Sequence, residues 1–312
     1  MSADVVLAGL AAAVAAGTAI ALGALGALLN ERAGVLNLGI EGIMLIGAVT
    51  AFLAADGTGN PWIGLVAGMV AGAALASVHG FLAVTLRANQ IVSSLALVIF
   101  GTGLSTFIGQ PIEGDPLDAR ITAVHIPLLN DIPAVGRVLF RQNPLVYATW
   151  VAVVVIAVYL FRTRAGLATR AVGENPATAD AMGISVTGVR YAHVALGGLL
   201  AGAGGAYQVL VRVDVWSQAA TTNGIGWIAL AVVVFASWRP LRVLAGAYLF
   251  GAALRANFVL QASGVQDIPA EFLAMLPYVL TIAVLILLSS SNARRRLGAP
   301  AALGTAFVRD ER

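Results

Sequence analysis

The sequence predicts an all-α polytopic membrane protein: a bundle of about nine (8–10) transmembrane helices with one short helix on a cytoplasmic loop. Three observations carry this. First, 59% of the 312 residues are apolar and only 11% are charged, with a mean hydropathy of +0.90. A soluble domain carries about 25% charged residues. Second, uncharged runs recur at lengths close to the ~20 residues a helix needs to cross the bilayer, where the backbone must satisfy itself. Third, the basic residues, all of them Arg, sort by loop as membrane topology requires. Together these exclude a soluble enzyme, a nucleic-acid binder and a disordered scaffold. The chain has no Cys, which removes disulfides, thiolate nucleophiles and Cys-type metal sites. His79, His125 and His193 stand too far apart in sequence to suggest a shared metal, and no cofactor is expected.

Uncharged runs at 5–30, 57–86, 88–112, 142–161, 191–211, 215–238 and 272–293 each predict a span. Two further spans, 35–55 and 243–261, each carry one charge inside them, Glu41 and Arg255. The first run opens with Asp4 rather than a positive charge and is followed by Arg32, so it reads as a retained span rather than a cleaved signal peptide. With 162–190 in the cytoplasm, thirteen Arg fall on cytoplasmic segments against four outside (Arg120, Arg137, Arg141 and Arg212). That bias sets the N-terminus outside and the Arg294–Arg296 cluster inside. Residues 1–291 then form a single transmembrane domain, with an external loop over 110–143 and a cytoplasmic loop over 162–190. The external loop, rich in Pro and mixed in charge, reads as a lid over the outer mouth. The tail over 292–312 is expected to be a poorly ordered cytoplasmic end.

The chain has 35 Gly, and small residues let helix backbones approach closely in lipid. Gly197/Ala201, Gly198/Gly202, Ala201/Gly205 and Gly202/Ala206 are all spaced by four, which marks one smooth face on the span over 191–211. Tight static packing and a rocking interface fit that spacing equally.

Asn30–Gly42 (NERAGVLNLGIEG) places three glycines around Asn37 and Glu41, which share a face if the segment is helical. An intramembrane carboxylate faces the bundle interior or a wet cavity. Glu41 therefore either lines a solute path in a broken helix or ties down backbone that the glycines free. Thr221–Trp227 (TTNGIGW) weakly echoes this pattern of Asn followed by a Gly-rich helix start, as duplicated halves of transporters do. Trp238 followed by Arg239 reads as an interfacial anchor. In Arg162–Val186, Asn175 suits a helix N-cap, Pro176 the first helical position and Gly183 the residue past the end. A helix over Pro176–Met182, too short to span, is the shape of a docking knob for a soluble partner; the alternative is a surface helix with no partner. His193 reads as hydrogen-bonded within the bundle rather than as a proton relay. Arg255 either meets a solute, pairs with an acid or snorkels outward. The chain holds no GK[ST] phosphate loop and no Ser/His/Asp constellation, so neither ATP binding by that route nor enzymatic activity is expected.

The motifs RAGVLNLGIEGIMLIGA, GLATRAVGENPATADAMGISV, NGIGWIALAVVVFASWRP, LAGAYLFGA and MLPYVLTIAVLILL resemble permease subunits of bacterial ABC importers, the nucleoside and simple-sugar branch most closely. The wider group also serves ribose and branched-chain amino acids. The resemblance covers roughly residues 25–290. It implies a pore-forming subunit of a bacterial plasma membrane that pairs with a second permease, like or unlike itself. A separate ATPase subunit supplies the hydrolysis, and an extracytoplasmic binding protein delivers solute. It also implies that Arg170–Val186 is the coupling loop, with Arg170, Gly173, Glu174, Asn175, Pro176, Ala179 and Gly183 its docking residues. Asn37, Glu41, Asn223 and Arg255 are the candidates for the solute path. The competing function class is an ion-coupled carrier using Glu41, His193 or Arg255, against which the docking helix speaks.

Overall fold

A computed structural model describes residues 3–125, 127, 129, 132–213, 215–217, 221–262, 272, 275–288 and 298–308. The described helices are α1 (Ala3–Arg32), α2 (Ile40–Thr58), α3 (Pro61–Gly80), α4 (Gln90–Gly109), α5 (Val135–Leu139) and α6 (Pro144–Arg162). They continue with α7 (Arg164–Glu174), α8 (Pro176–Ala181), α9 (Val186–Tyr207), α10 (Ile225–Phe235), α11 (Pro240–Ala262) and α12 (Leu276–Leu288). Single π-helical turns extend α3 over Phe81–Thr85 and α9 over Gln208–Arg212. Isolated bridges are the only extended pairing among the described residues.

Six helices among the described residues are long and apolar enough to cross a membrane: Asp4–Arg32, Ile40–Thr58, Pro61–Thr85, Gln90–Ile112, Pro144–Arg162 and Val186–Arg212. The expected span over 215–238 is not one helix. Its helical part, α10, has 11 residues, about 16 Å at 1.5 Å per residue, roughly half the hydrocarbon thickness. The last expected span, 272–293, is described over α12, and its end beyond Leu288 lies outside the described residues.

The bundle is organised around α1, whose second half is buried from Ala16 onward. Gly17 meets Ala247 of α11, and Gly26 meets Gly197 of α9. Gly251 returns to Ala13, and Gly204 to Ala19, so both neighbours run antiparallel to α1. On the other side of α9, Gly72 meets Gly198 and Gly202, while Gly68 meets Gly47 and Ala206. Side chains are left out where backbones cross: a Cβ built on Gly47 would stand 2.6 Å from the Cα of Gly202. The small residues of α9 do not form one face, as their spacing suggested. Gly197 and Gly204 face α1, Gly198 and Gly202 face α3, and Gly205 faces α2. A helix surrounded by three neighbours needs small residues on three sides, which a spacing of four at adjacent registers supplies.

α1 ends in a glycine cap. Gly34 adopts φ +82°, and the amides of Gly34 and Val35 donate back to the carbonyls of Glu31 and Asn30 at 2.9 and 3.0 Å, a Schellman closure. Residues 33–39 are non-helical. Asn37 and Glu41 therefore do not share a helix face. Asn37 lies before α2, its Oδ1 accepting from the Gly39 amide at 2.8 Å in an Asx turn that competes with helix.

The described part of the 110–143 loop folds down onto the bundle. The Ile121 amide donates to the Leu210 carbonyl at 3.0 Å, Gly114 to Trp216 at 2.9 Å, and Arg137 pairs with Asp4 at the start of α1. The expectation of a poorly ordered tail fails over 298–308. That stretch packs on the 162–190 loop, with Ala302 buried and Phe307 against the cluster of Val172, Ala179 and Val186.

Candidate solute path and coupling site

Glu41 sits in the first turn of α2, only 7% exposed. Its Oε1 accepts from the Thr222 hydroxyl at 2.5 Å and from the Gly224 amide at 3.1 Å, and its Oε2 accepts from the Gly226 amide at 2.6 Å. One carboxylate thus closes the N-terminus of α10, the sequence having placed no Ser, Thr, Asp or Asn there to do so; the cap residue Gly224 makes no side-chain bond. α2 and α10 start side by side. Ala229 of α10 lies at Gly23 of α1 and Trp238 lies at Glu31, so α10 runs parallel to α1. α2 packs antiparallel to α3 (Gly64 at Ala51 and Ala55, Gly68 at Gly47), and α3 is antiparallel to α9, as α1 is. The two helices therefore diverge from a shared point, and each presents about half a positive charge there. Glu41 is the counter-charge for both. The non-helical stretches 33–39 and 221–224 both lead into this junction.

Asn223 stands one residue before the cap, exposed, with φ +46°. The structure brings Asn223 and Glu41 together, and Asn37 is four residues upstream with its Nδ2 buried and without a hydrogen-bond partner. Arg255 is elsewhere. It follows Gly251, which packs at Ala13, and it interacts with Tyr207. That places it toward the first turns of α1, on the order of 20 Å along the bundle from Glu41. Tyr207 and Arg120, Arg141, Gln142 and Asn143 of the 110–143 loop line a cavity of about 350 Å³ at this end of the bundle.

His193 is wired into the bundle. Its Nδ1 donates to the Val189 carbonyl at 2.7 Å, and its Nε2 lies 3.0 and 3.1 Å from the Tyr159 and Thr169 hydroxyls. Both ring nitrogens are engaged within the bundle. Trp238 is not an interfacial anchor. It is 4% exposed, its indole N–H donates to Glu31 at 2.5 Å, and its carbonyl accepts from Arg32 Nε and Nη2 at 3.1 and 2.9 Å. The end of α10 is thereby clamped to the end of α1.

On the 162–190 loop the short helix is capped as its sequence specifies. Asn175 Oδ1 accepts from the Thr178 amide at 3.0 Å, Pro176 opens α8, and Gly183 takes φ +83° after it. The helix ends at Ala181, with Met182 as its cap. Glu174, Asn175 and Gly183 are exposed, Arg170 and Pro176 are half-buried, and Gly173 and Ala179 are buried. The buried members hold the knob in place. Ala179 packs on Val172 and Val186, and a Cβ at Gly173 would strike the Arg32 carbonyl at the end of α1. Arg170 lies over the Phe161 ring at 5.3 Å, as Arg32 does at 5.8 Å. Sequence reasoning missed two parts of this site. Met182, 78% exposed, is its most prominent apolar group, legible as the one large side chain at the helix end. The 298–308 segment was signalled only by its apolar residues after the Arg cluster.

The chain matches the family described as Branched-chain amino acid transport system / permease component over residues 7–285. It belongs to this permease family. It is similar to TsgC13 of Haloferax volcanii, a provisionally named glucose ABC transporter permease protein, with 40% identity over 96% of this chain and 97% of the relative. The guanosine ABC transporter permease protein NupQ of Bacillus subtilis is 36% identical over 93% of each chain. The nucleoside ABC transporter permease protein NupC of Lactococcus lactis is 37% identical over 84% of this chain and 86% of the relative. No solved structure gives a significant match. The permease is a multi-pass, mostly helical membrane subunit of the ABC-transporter type, and hydrolysis of ATP belongs to a different subunit of such systems.

Proposed function

We propose that this permease moves a nucleoside inward by alternating access, driven by a separate ATPase that docks on Arg170–Gly183. The carrying observation is its likeness along nearly the whole chain to permeases named for guanosine and nucleosides. A simple sugar is the second reading, favoured by the likeness to the glucose-named relative. Asn37, Glu41 and Asn223 form the inner part of the solute path, around the helix starts where amide donors and a carboxylate are grouped. Arg255 belongs to its outer part. Two permease chains form the pore, and an extracytoplasmic binding protein delivers the solute. Nine elements enter the bilayer, α10 among them at half length, with the N-terminus outside and the C-terminus in the cytoplasm of a bacterial cell. The capped short helix on the 162–190 loop supports an ATP-driven cycle over an ion-coupled one, since a self-sufficient carrier has no use for a docking knob.

The test is uptake of labelled guanosine and of labelled glucose into proteoliposomes containing the permease, its ATPase and its binding protein. Guanosine uptake that ceases with an ATPase-dead partner is the expected result. Uptake that persists there and collapses with the proton gradient refutes the ABC reading of the mechanism; preference for glucose refutes the nucleoside assignment alone.

A further inference from the structure

The permease mechanism leaves the C-terminal segment without a role, yet 298–308 is bound at both of the places a coupling stroke must connect. Toward the docking loop, the Ala302 amide donates to the Gly173 carbonyl at 2.9 Å and the Ala301 amide donates to Glu174 Oε2 at 3.2 Å. Phe307 packs on Val172, Ala179 and Val186, the residues that seat the short helix. Toward the break between α1 and α2, Gly304 lies against Leu36 and the Ala302 carbonyl lies beside Gly34.

Side chains of the bundle close the same junction. Gln90 accepts from the Leu36 amide through Oε1 at 2.7 Å and donates to the Thr305 carbonyl through Nε2 at 3.4 Å. Arg190, 1% exposed at the base of α9, donates to that Thr305 carbonyl at 3.1 Å. A tail without a mechanical task has no need to accept hydrogen bonds from a buried guanidinium and from Gln90, which also holds the Leu36 amide. The segment touches the loop through Ala301, Ala302 and Phe307, the base of α9 through Thr305 and the non-helical 33–39 stretch alongside, which leads directly to Glu41.

We infer that residues 298–308 are a strap that transmits displacement of the docking loop to the α1–α2 break. This rests on the docking role proposed above for Arg170–Gly183. Its residues are positioning residues: they touch no solute and act through Gly173, Glu174 and Leu36. The physical warrant is a hydrogen-bonded, packed connection between two elements that must move together.

Because the chain lacks Cys, the seat of the strap is directly testable. A Cβ at Gly304 would stand 3.9 Å from the Leu36 Cβ, within the range a disulfide spans. The pair Gly304→Cys with Leu36→Cys, made in the full-length permease in membranes, is expected to cross-link on mild oxidation. Gly304 takes φ +76°, where a side chain is strained, so the strap is overturned when the cross-link is absent in a properly inserted pair variant that transports as wild type.

Its task is tested in the reconstituted complex with two variants, termination after residue 297 and the milder Phe307→Ala. Transport is expected to fall about tenfold, within the span usual for coupling between sites, while ATP hydrolysis and complex assembly stay within about twofold of normal. Normal transport in both variants overturns the proposal. So does loss of the ATPase from the complex, which makes the segment part of the dock rather than a transmitter. Failure of the docking reading is separately visible: Met182→Glu and Glu174→Arg would then leave ATPase binding intact.

Discussion

At the scale of single residues, Glu41 carries the most. One carboxylate accepts three hydrogen bonds and balances two helix ends, so its loss orphans buried donors. A buried donor left without a partner costs about 1–3 kcal/mol. Glu41→Ala is expected to lower the thermal midpoint in detergent markedly, Glu41→Gln less, because the amide keeps one acceptor but turns N–H toward Gly226. Equal stability of wild type and both variants would remove the capping role. Gly226 belongs to the same account: a Cβ there would stand 2.5 Å from the Glu41 Cα. Gly226→Ala is therefore expected to abolish transport while Gly57→Ala, which meets nothing within 4 Å, leaves it unchanged; uptake assays compare the two.

At the scale of elements, local signals and distant ones part company. Asn175, Pro176 and Gly183 specify α8 within nine residues, and the chain folds there as those residues demand. Asn175→Ala removes a cap worth about 1 kcal/mol, so the helix should fray and stimulation of the ATPase partner should weaken without loss of insertion. α10 is the opposite case. Thr221–Gly224 marks a helix start in the sequence, but the cap residue Gly224 has no side chain to close it. Its first residue is set by Glu41, more than 180 positions away. The same holds for α9, whose spacing of small residues was legible while their division among α1, α2 and α3 depended on which helices arrived. Backbone crossings such as Gly47 with Gly202 leave no room for a methyl group. Gly47→Ala is expected to cost about 1–3 kcal/mol through overpacking, read as a lower unfolding temperature.

At the scale of the whole molecule, composition made the membrane class legible and motifs such as NLGIEG and GENP the family resemblance, and family membership bears both out. What the sequence withheld is where distant parts meet: Asn223 beside Glu41, Arg255 far from both, Trp238 buried under Arg32, and the chain's end seated on Gly173. Topology is checked with single cysteines in this Cys-free background. A membrane-impermeant maleimide applied from outside should label Asp56→Cys in intact cells, and Met182→Cys only after the cells are opened. The reverse pattern would invert the orientation and place the docking loop on the wrong side for any ATPase.

The clamp of Trp238 on Glu31 and Arg32 bears on how the shortest bundle helix survives at all. An eleven-residue helix alone in water would be largely unwound. α10 is fastened at its start by Glu41 and at its finish by α1, so it has no free end from which to unravel. Its amide protons should then exchange with deuterium as slowly as those of the long helices beside it, and cutting either fastening should open the whole segment to solvent at once, like a rung freed from one rail of a ladder.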